Sequence, residues 1–388
     1  MPRQRASSGY RGRAGVATLL AWLLAAAALL APPGAAAYNL TPIYEETQDQ
    51  LGGPGSTGVP FFLRPIIERV LDQFSDPAHE ALTARMFGCT EAFVDCGDNP
   101  ENAVPQGVLD GLRWNDNPIF RLASKSRRCP AAARPDYYLD LDSDPLCWVT
   151  LFYDAEKRAS ARPGEHFSGN TDATPVALLY RVHFGDLQFF HAMASWDGEA
   201  AAVTHAHVLA WLELTYRVND GEIADLDAPI SERIPALRDV FGRNGFSVRS
   251  LFVPQSHQHG ANADALVRDM ALGSLLHTIE DSWSAAHVQR DPASAGRGCG
   301  EFAVSAVPGR IITFHAYNHQ DSNKHKTRDS SDTAESQLHE AAPVVAAGHL
   351  VLTLLQQHLP WADAAAYFQC LMEIGDPAAP AGPGDYAR

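Results

Sequence analysis

Basic residues are scarce in this sequence. It has 30 Lys and Arg against 46 Asp and Glu, a formal net charge of −16. Residues 1–37 carry Arg3, Arg5, Arg11 and Arg13 and no acid, so the remainder stands at −20. Binding of long polyanions relies on Lys and Arg, and this balance argues against it unless bound divalent metal reverses the sign locally. Familiar hydrolytic signatures are missing as well: there is no G-x-S-x-G elbow, no Gly-rich phosphate loop and no H-E-x-x-H. The "HEALT" at His79 has the first His and the Glu but lacks the second His. The six cysteines (Cys89, Cys96, Cys129, Cys147, Cys299, Cys370) form no C-x-x-C, and none adjoins a histidine cluster. An even count without metal spacing reads as structural disulfides, with Cys89–Cys96 and Cys129–Cys147 as the local pairings on offer. Convincing strand alternation is scarce, "RIITFHAY" being the best case, and there are no internal repeats.

The long apolar run lies at the N-terminus, from Ala14 to Ala31, between the four arginines and a small-residue exit, "PPGAAAY". That order is the pattern of an export signal, with cleavage expected after Ala37 and a secreted or periplasmic product. No cysteine follows the exit to carry a lipid, and no membrane span is expected in the mature chain. Hydrophobic residues at 46% and charged residues at 20% give the rest an ordinary globular composition.

Helical periodicity runs through "FFLRPIIERVLDQF", "PAHEALTARMF", "GDLQFFHAMAS", "AAVTHAHVLAWLELTYRV", "SERIPALRDVFGR", "ADALVRDMALGSLLHTIEDSWSAAHV" and "ESQLHEAAPVVAAGHLVLTLLQQHL". The expectation is a mostly α-helical fold: one multi-helix domain over 38–375, with a long irregular, disulfide-bearing insertion over 88–175. The tail 376–388, "DPAAPAGPGDYAR", reads as disordered.

The chemistry centres on "HTIEDSWSAAH", which spaces His277, Asp281 and His287 as H-x3-D-x5-H. On one continuous helix the three fall within an arc of ~120°, and the rise from first to last is ~15 Å. A single ion cannot span that rise; a row of two or three ions bridged by the central carboxylate can. Glu280 and Ser284 share the arc and could support the ligands from behind. Downstream, "HKTRD" gives His325 and Asp329 at i, i+4, with His315 and His319 in "HAYNHQ" as competitors at the same spacing. Upstream, His79 near a helix start, Asp116 in "RWNDNP" and His191 in "FFHAM" are candidates that taken singly read as core or turn residues.

H-x3-D-x5-H followed by H-x3-[DE] resembles the ligand pattern of bacterial zinc-dependent phospholipases C and fungal single-strand-specific zinc nucleases, a superfamily of mostly helical, trinuclear zinc phosphodiesterases. The specific match covers 277–329, with looser similarity from residue 79 to about 360. The resemblance implies two or three zinc ions. Asp116, His191, His277 and Asp281 would hold the first, and Asp281 would bridge to a second at His79. His287, His325 and Asp329 would hold the third. Two departures are visible. Family members use an N-terminal amine close before the first histidine, whereas Tyr38 lies 41 residues before His79. The family also places its Asp and next His close together, whereas Asp116 and His191 are 75 apart.

The implied activity is phosphodiester hydrolysis, with Asp116 and Asp281 as the catalytic carboxylates and a phospholipid as substrate, reached by transient contact with a membrane surface. A nuclease or 3′-nucleotidase on the same scaffold is the enzymatic alternative; Trp114, Trp148, Trp196 and Trp283 could serve either, as base-stacking surfaces or in an apolar lipid groove. The non-enzymatic alternative is an exported helical protein whose metals only staple the fold.

Overall fold

A computed structural model describes residues 78–89, 96, 102–121, 138–141, 143–161, 167–168, 178–242, 245–253, 262–294, 299, 302, 309–328 and 343–388. All of them fall in a unit spanning 36–388. The expected signal segment 1–37 and the first periodic segment, 61–74, lie outside the described residues.

The protein is mostly α-helical. Its principal helices are α1 (Ala78–Met86), α2 (Gln106–Trp114), α3 (Pro145–Ala161), α4 (Leu178–Phe184), α5 (Ala201–Asp220), α6 (Ala263–Asp281), α7 (Ser322–Arg328), α8 (Pro343–Gln356) and α9 (Trp361–Leu371). Among the described residues the only sheets are two antiparallel pairs, β1 (Phe120–Arg121) with β2 (Tyr138–Leu139), and β3 (Val288–Arg290) with β4 (Ile311–Phe314). β4 is the "IITF" of the one segment with strand character. The span 88–175 holds α2 and α3 alongside its loops. Its prolines and glycines mask two helices that are buried against the rest of the chain.

α6 is the central element. From Met270 to Asp281 every residue is buried, so this half of the helix has no solvent face and no amphipathic stripe. Its neighbour α2 comes unusually close, because glycines face each other at the crossing. A Cβ on Gly273 would lie 2.0 Å from the Val108 carbonyl oxygen, and one on Gly111 would lie 2.0 Å from that of Met270. This approach puts the Leu112 carbonyl 2.8 Å from Nδ1 of His277. Behind it, the buried Asn115 donates from Nδ2 to the Phe190 carbonyl at 2.9 Å and accepts from Ser274 Oγ at 2.6 Å. Trp211 Nε1 in turn donates to Ser274 Oγ at 3.2 Å. Alanine is a better helix former than glycine by about 1 kcal/mol, yet Gly273→Ala must push α2 and α6 apart. We expect a net loss of ~1–3 kcal/mol, the usual cost of overpacking. Urea unfolding checks this, with weakened metal uptake as the companion readout because Leu112 moves away from His277.

α6 ends at Asp281, which corrects the expected geometry: His287 is not on the same helix. Ser282 closes the helix, its Oγ donating to the Ile279 carbonyl at 2.7 Å, and Arg290 donates from Nε to the Ser282 carbonyl at 2.9 Å. A cation over the last turn is the favoured charge there. "SWSAAH" contains no Gly or Pro, so nothing in its spelling announced the stop. Two turns later His287 directly precedes β3, and the ~15 Å rise that kept the two histidines apart does not apply.

The tail is ordered and corrects the expected disorder. It runs as a strap, its carbonyls taking up N–H groups at the start of α5: Ala201 N to Ala379 O at 2.9 Å and Ala202 N to Pro377 O at 2.9 Å. Helix first turns always leave such donors open. Farther on, Ala316 N donates to Gly382 O and Asp321 N to Tyr386 O. The segment is poor in apolar side chains, and its order comes from main-chain bonding that composition does not report.

Cys89–Cys96 forms as expected, and Cys299 pairs with Cys370 across 71 residues. Cys147 is also disulfide-bonded, while its expected partner Cys129 lies outside the described residues. Such usage belongs to chains that fold in an oxidising, non-cytosolic compartment. Among the described residues no helix is long and apolar enough to cross a membrane.

Candidate metal centre

Seven of the eight candidate ligands are described, and they converge. His277 and Asp281 come from the last turn of α6, where i, i+4 spacing stacks them on one face; His277 Nε2 lies 2.9 Å from Asp281 Oδ2. His191 arrives from a short 3₁₀ turn, Gln188–His191, which ends in Ala192 at a left-handed φ of 50°. Its Nδ1 is 2.8 Å from Asp281 Oδ2 and 3.1 Å from His277 Nε2. Asp116 follows α2, with Oδ1 3.8 Å from His191 Nδ1 and 4.0 Å from His277 Nε2.

The other carboxylate oxygen of Asp281 turns to a second set. His79, in the first turn of α1, has Nε2 3.4 Å from Oδ1, and His287 Nδ1 is also 3.4 Å from it. The rings of His79 and His277 stack at 4.0 Å. His79 is fixed from behind by Glu280, with Nδ1 2.6 Å from Oε2, and Thr83 Oγ1 donates to Glu280 Oε1 at 2.7 Å. Ser284 Oγ accepts from the Ala286 N–H at 3.2 Å.

A third pair forms beside these. His287 Nε2 lies 3.2 Å from His325 Nε2, the rings stacked at 4.9 Å. Asp329, the third residue expected there, lies outside the described residues. The competitors are placed elsewhere. His315 is buried with Nδ1 on the Ala286 carbonyl at 3.0 Å, and His319 pairs with Asp197 on the surface.

Protons decide what this arrangement can hold. His191 Nε2 faces the Asn115 carbonyl at 3.1 Å and His277 Nδ1 faces that of Leu112 at 2.8 Å. A carbonyl accepts only, so each ring donates an N–H there and turns its other nitrogen inward. Burial lowers the His191 pKa despite Asp281 alongside, so that ring stays neutral. His191 Nδ1, His277 Nε2 and Asp281 Oδ2 then meet within 3.1 Å of one another. Burial opposes ionisation of Asp281, but His287, His277 and His191 hold its pKa well below the usual range. Imidazole nitrogens and a carboxylate gathered this closely suit a bound cation. Tetrahedral zinc, with bonds of ~2.0–2.1 Å, separates its ligand atoms by roughly 3.3 Å, close to the spacings found.

Two groups could therefore hold metal: His79, His277 and Asp281, all buried, and Asp116, His191 and His277, of which Asp116 is half-buried. Burial opposes charge on His79, yet the Glu280 hydrogen bond and the carboxylates of Asp281, Glu280 and Asp116 raise its pKa to about 10. A cation taken at His79 Nε2 must displace a proton, so uptake weakens as pH falls. His183, unforeseen from the sequence, supports Asp116: its Nε2 faces the Asp116 carbonyl at 2.8 Å. Burial, aided by neighbouring His191, pushes the His183 pKa down to about 3, so the ring stays a neutral donor at ordinary pH. Its signal in the sequence was faint, one more histidine inside an apolar "LLYRVHF".

Comparison with protein-family models, curated proteins and solved structures finds no match for this chain.

Proposed function

We propose that this chain is an exported zinc-dependent phosphodiesterase of the phospholipase C type, releasing diacylglycerol and a phosphorylated headgroup from phospholipid. The observation that carries the reading is the meeting of His191 Nδ1, His277 Nε2 and Asp281 Oδ2 within 3.1 Å of one another, in a buried group of imidazole and carboxylate donors. Imidazole and carboxylate suit zinc, and the described cysteines are all bridged, which removes thiolate from the donor set. Zinc bound here would neutralise phosphodiester charge and favour attack by water at phosphorus.

The chain's own residues supply the rest. Asp281 offers its two oxygens to two different histidine sets, which suits a carboxylate shared by two ions. Asp116 is the rim. Its side chain is 21% exposed, against 2% for Asp281 and 7% for His191, so substrate and water reach the group on that side. In hydrolysis the water oxygen bonds to phosphorus and the bond from phosphorus to the glycerol oxygen breaks. Asp116 takes the water proton and the departing glycerol oxygen gains one. A sealed staple would have no reason to leave one carboxylate open.

Of the four tryptophans considered as base-stacking surfaces, Trp114 and Trp148 are core residues, 2% and 0% exposed. Trp196 and Trp283 are half-buried and could face either kind of substrate, so it is the acidic charge of the chain that favours lipid over a polyanionic nucleic acid. The expected outcome is two to three equivalents of zinc in natively purified protein and chelator-sensitive hydrolysis of phosphatidylcholine vesicles. Hydrolysis of single-stranded RNA with lipid untouched would move the assignment to a nuclease. Zinc retained with no turnover of either, or of a chromogenic phosphodiester, would reduce the metals to staples.

A further inference from the structure

Gln320 is 1% exposed, and its amide joins three separate parts of the chain. Nε2 donates to the Ala286 carbonyl at 2.8 Å and to the Pro383 carbonyl at 3.1 Å, while Oε1 lies 2.5 Å from His325 Nδ1. An amide has two N–H donors, and both are engaged by carbonyl oxygens. Turning the amide over would set its oxygen against two acceptors, so the orientation is fixed. Oε1 accepts only, which requires the proton of His325 to sit on Nδ1. Its Nε2 must then present a lone pair to His287, 3.2 Å away. His287 is set by the same logic, with Nδ1 on the His191 carbonyl at 2.9 Å.

One of the two carbonyls that lock Gln320 belongs to the strap at 382–388, which is anchored on both sides of it. Gly384, at φ +61°, packs so tightly on His315 that a Cβ there would come 2.4 Å from the ring. His315 bonds the same Ala286 carbonyl that Gln320 uses. Arg388 donates from Nε to the Gln320 carbonyl at 2.8 Å and from Nη2 to Glu156 Oε1 at 2.9 Å. Lys324, in α7 beside His325, donates to the Ala387 carbonyl at 2.7 Å.

We propose that Gln320 is a positioning residue, and that the strap 382–388, through the Pro383 carbonyl, fixes its amide so that His325 is held in the Nδ1–H tautomer, the form whose Nε2, on the His287 side of the ring, can act as a metal ligand. This rests on the reading above that His287 and His325 hold an ion. It adds that a segment carrying no ligand sets the competence of that site.

Two variants test it: Gln320→Leu, and deletion of residues 383–388. In metal-free protein with ¹⁵N-labelled histidine, His325 should show a single Nδ1–H tautomer in the parent and a mixture in both variants. In zinc titrations one equivalent should weaken about 10–100-fold, the usual effect of removing such a partner, while the equivalents held around Asp281 keep the parent affinity. Three results overturn the proposal: an unchanged tautomer in both variants, unchanged affinity for every equivalent, or uniform weakening of all equivalents, which would mark general loosening. If the parent binds no zinc, the proposed function fails, whereas the tautomer measurement still decides the role of Gln320.

Discussion

Asp281→Asn is expected to lower phosphodiester turnover by about 10³-fold or more, the equivalent of ~4 kcal/mol, and to release more metal than any other single substitution. The carboxylate lies 2.8 and 2.9 Å from His191 and His277 through one oxygen, and 3.4 Å from His79 and His287 through the other. An asparagine can present its oxygen to only one of those sets, and its NH₂ must face the other. The substitution also removes the anion that offsets charge on His79, whose pKa is raised to about 10 partly by Asp281. Breaking a buried charge pair from one side costs roughly 3–5 kcal/mol, so the unfolding midpoint should fall too. Loss of a terminal ligand, as in His325→Ala, should cost a single equivalent and leave the Asp281 group loaded. Elemental analysis and vesicle hydrolysis on the two variants side by side check the ranking. Full zinc content in Asp281→Asn would end the bridging role.

How much of this was legible in the sequence depends on whether a signal was local. The α6 pair could be read because i, i+4 spacing on a helix is set by backbone geometry alone, and His277 and Asp281 obey it. The convergence of His191 and Asp116 on that pair depends on the Gly111–Gly273 crossing, and two glycines 162 residues apart do not announce that they will face each other. The His287 position was reached by a wrong route. The residue comes within 3.4 Å of Asp281, but through a helix end capped by Arg290 that a stretch without Gly or Pro concealed. Carbonyl partners left no trace at all. Leu112, Asn115, His191 and Ala286 act through main-chain oxygens, which any side chain would supply. The strap was misread for the same reason, since its order comes from backbone bonds and composition scores only side chains.

Asp116→Asn should separate chemistry from metal binding. Asp116 is farther from the ring nitrogens than Asp281, at 3.8 and 4.0 Å, and is the most exposed member of the group at 21%. Its main chain is held independently, by the neutral His183 below and by the buried Asn115 network beside it. The substitution therefore leaves the backbone and one side-chain oxygen in place and removes basicity. A positioned general base contributes about 10²–10⁴-fold, so kcat should fall within that range while zinc content stays near the parent value. The effect should appear in kcat and kcat/KM alike, the pattern of an interaction made only in the transition state. His183→Phe keeps an aromatic ring but removes the donor to the Asp116 carbonyl. It should give a smaller loss in the same direction, because the carboxylate is then displaced instead of disabled. Should Asp116→Asn lose zinc in proportion to rate, Asp116 is a ligand and the base lies elsewhere. Should lipid hydrolysis survive it intact, the residue has no part in the chemistry, and the reason for placing the open side of the group at Asp116 goes with it.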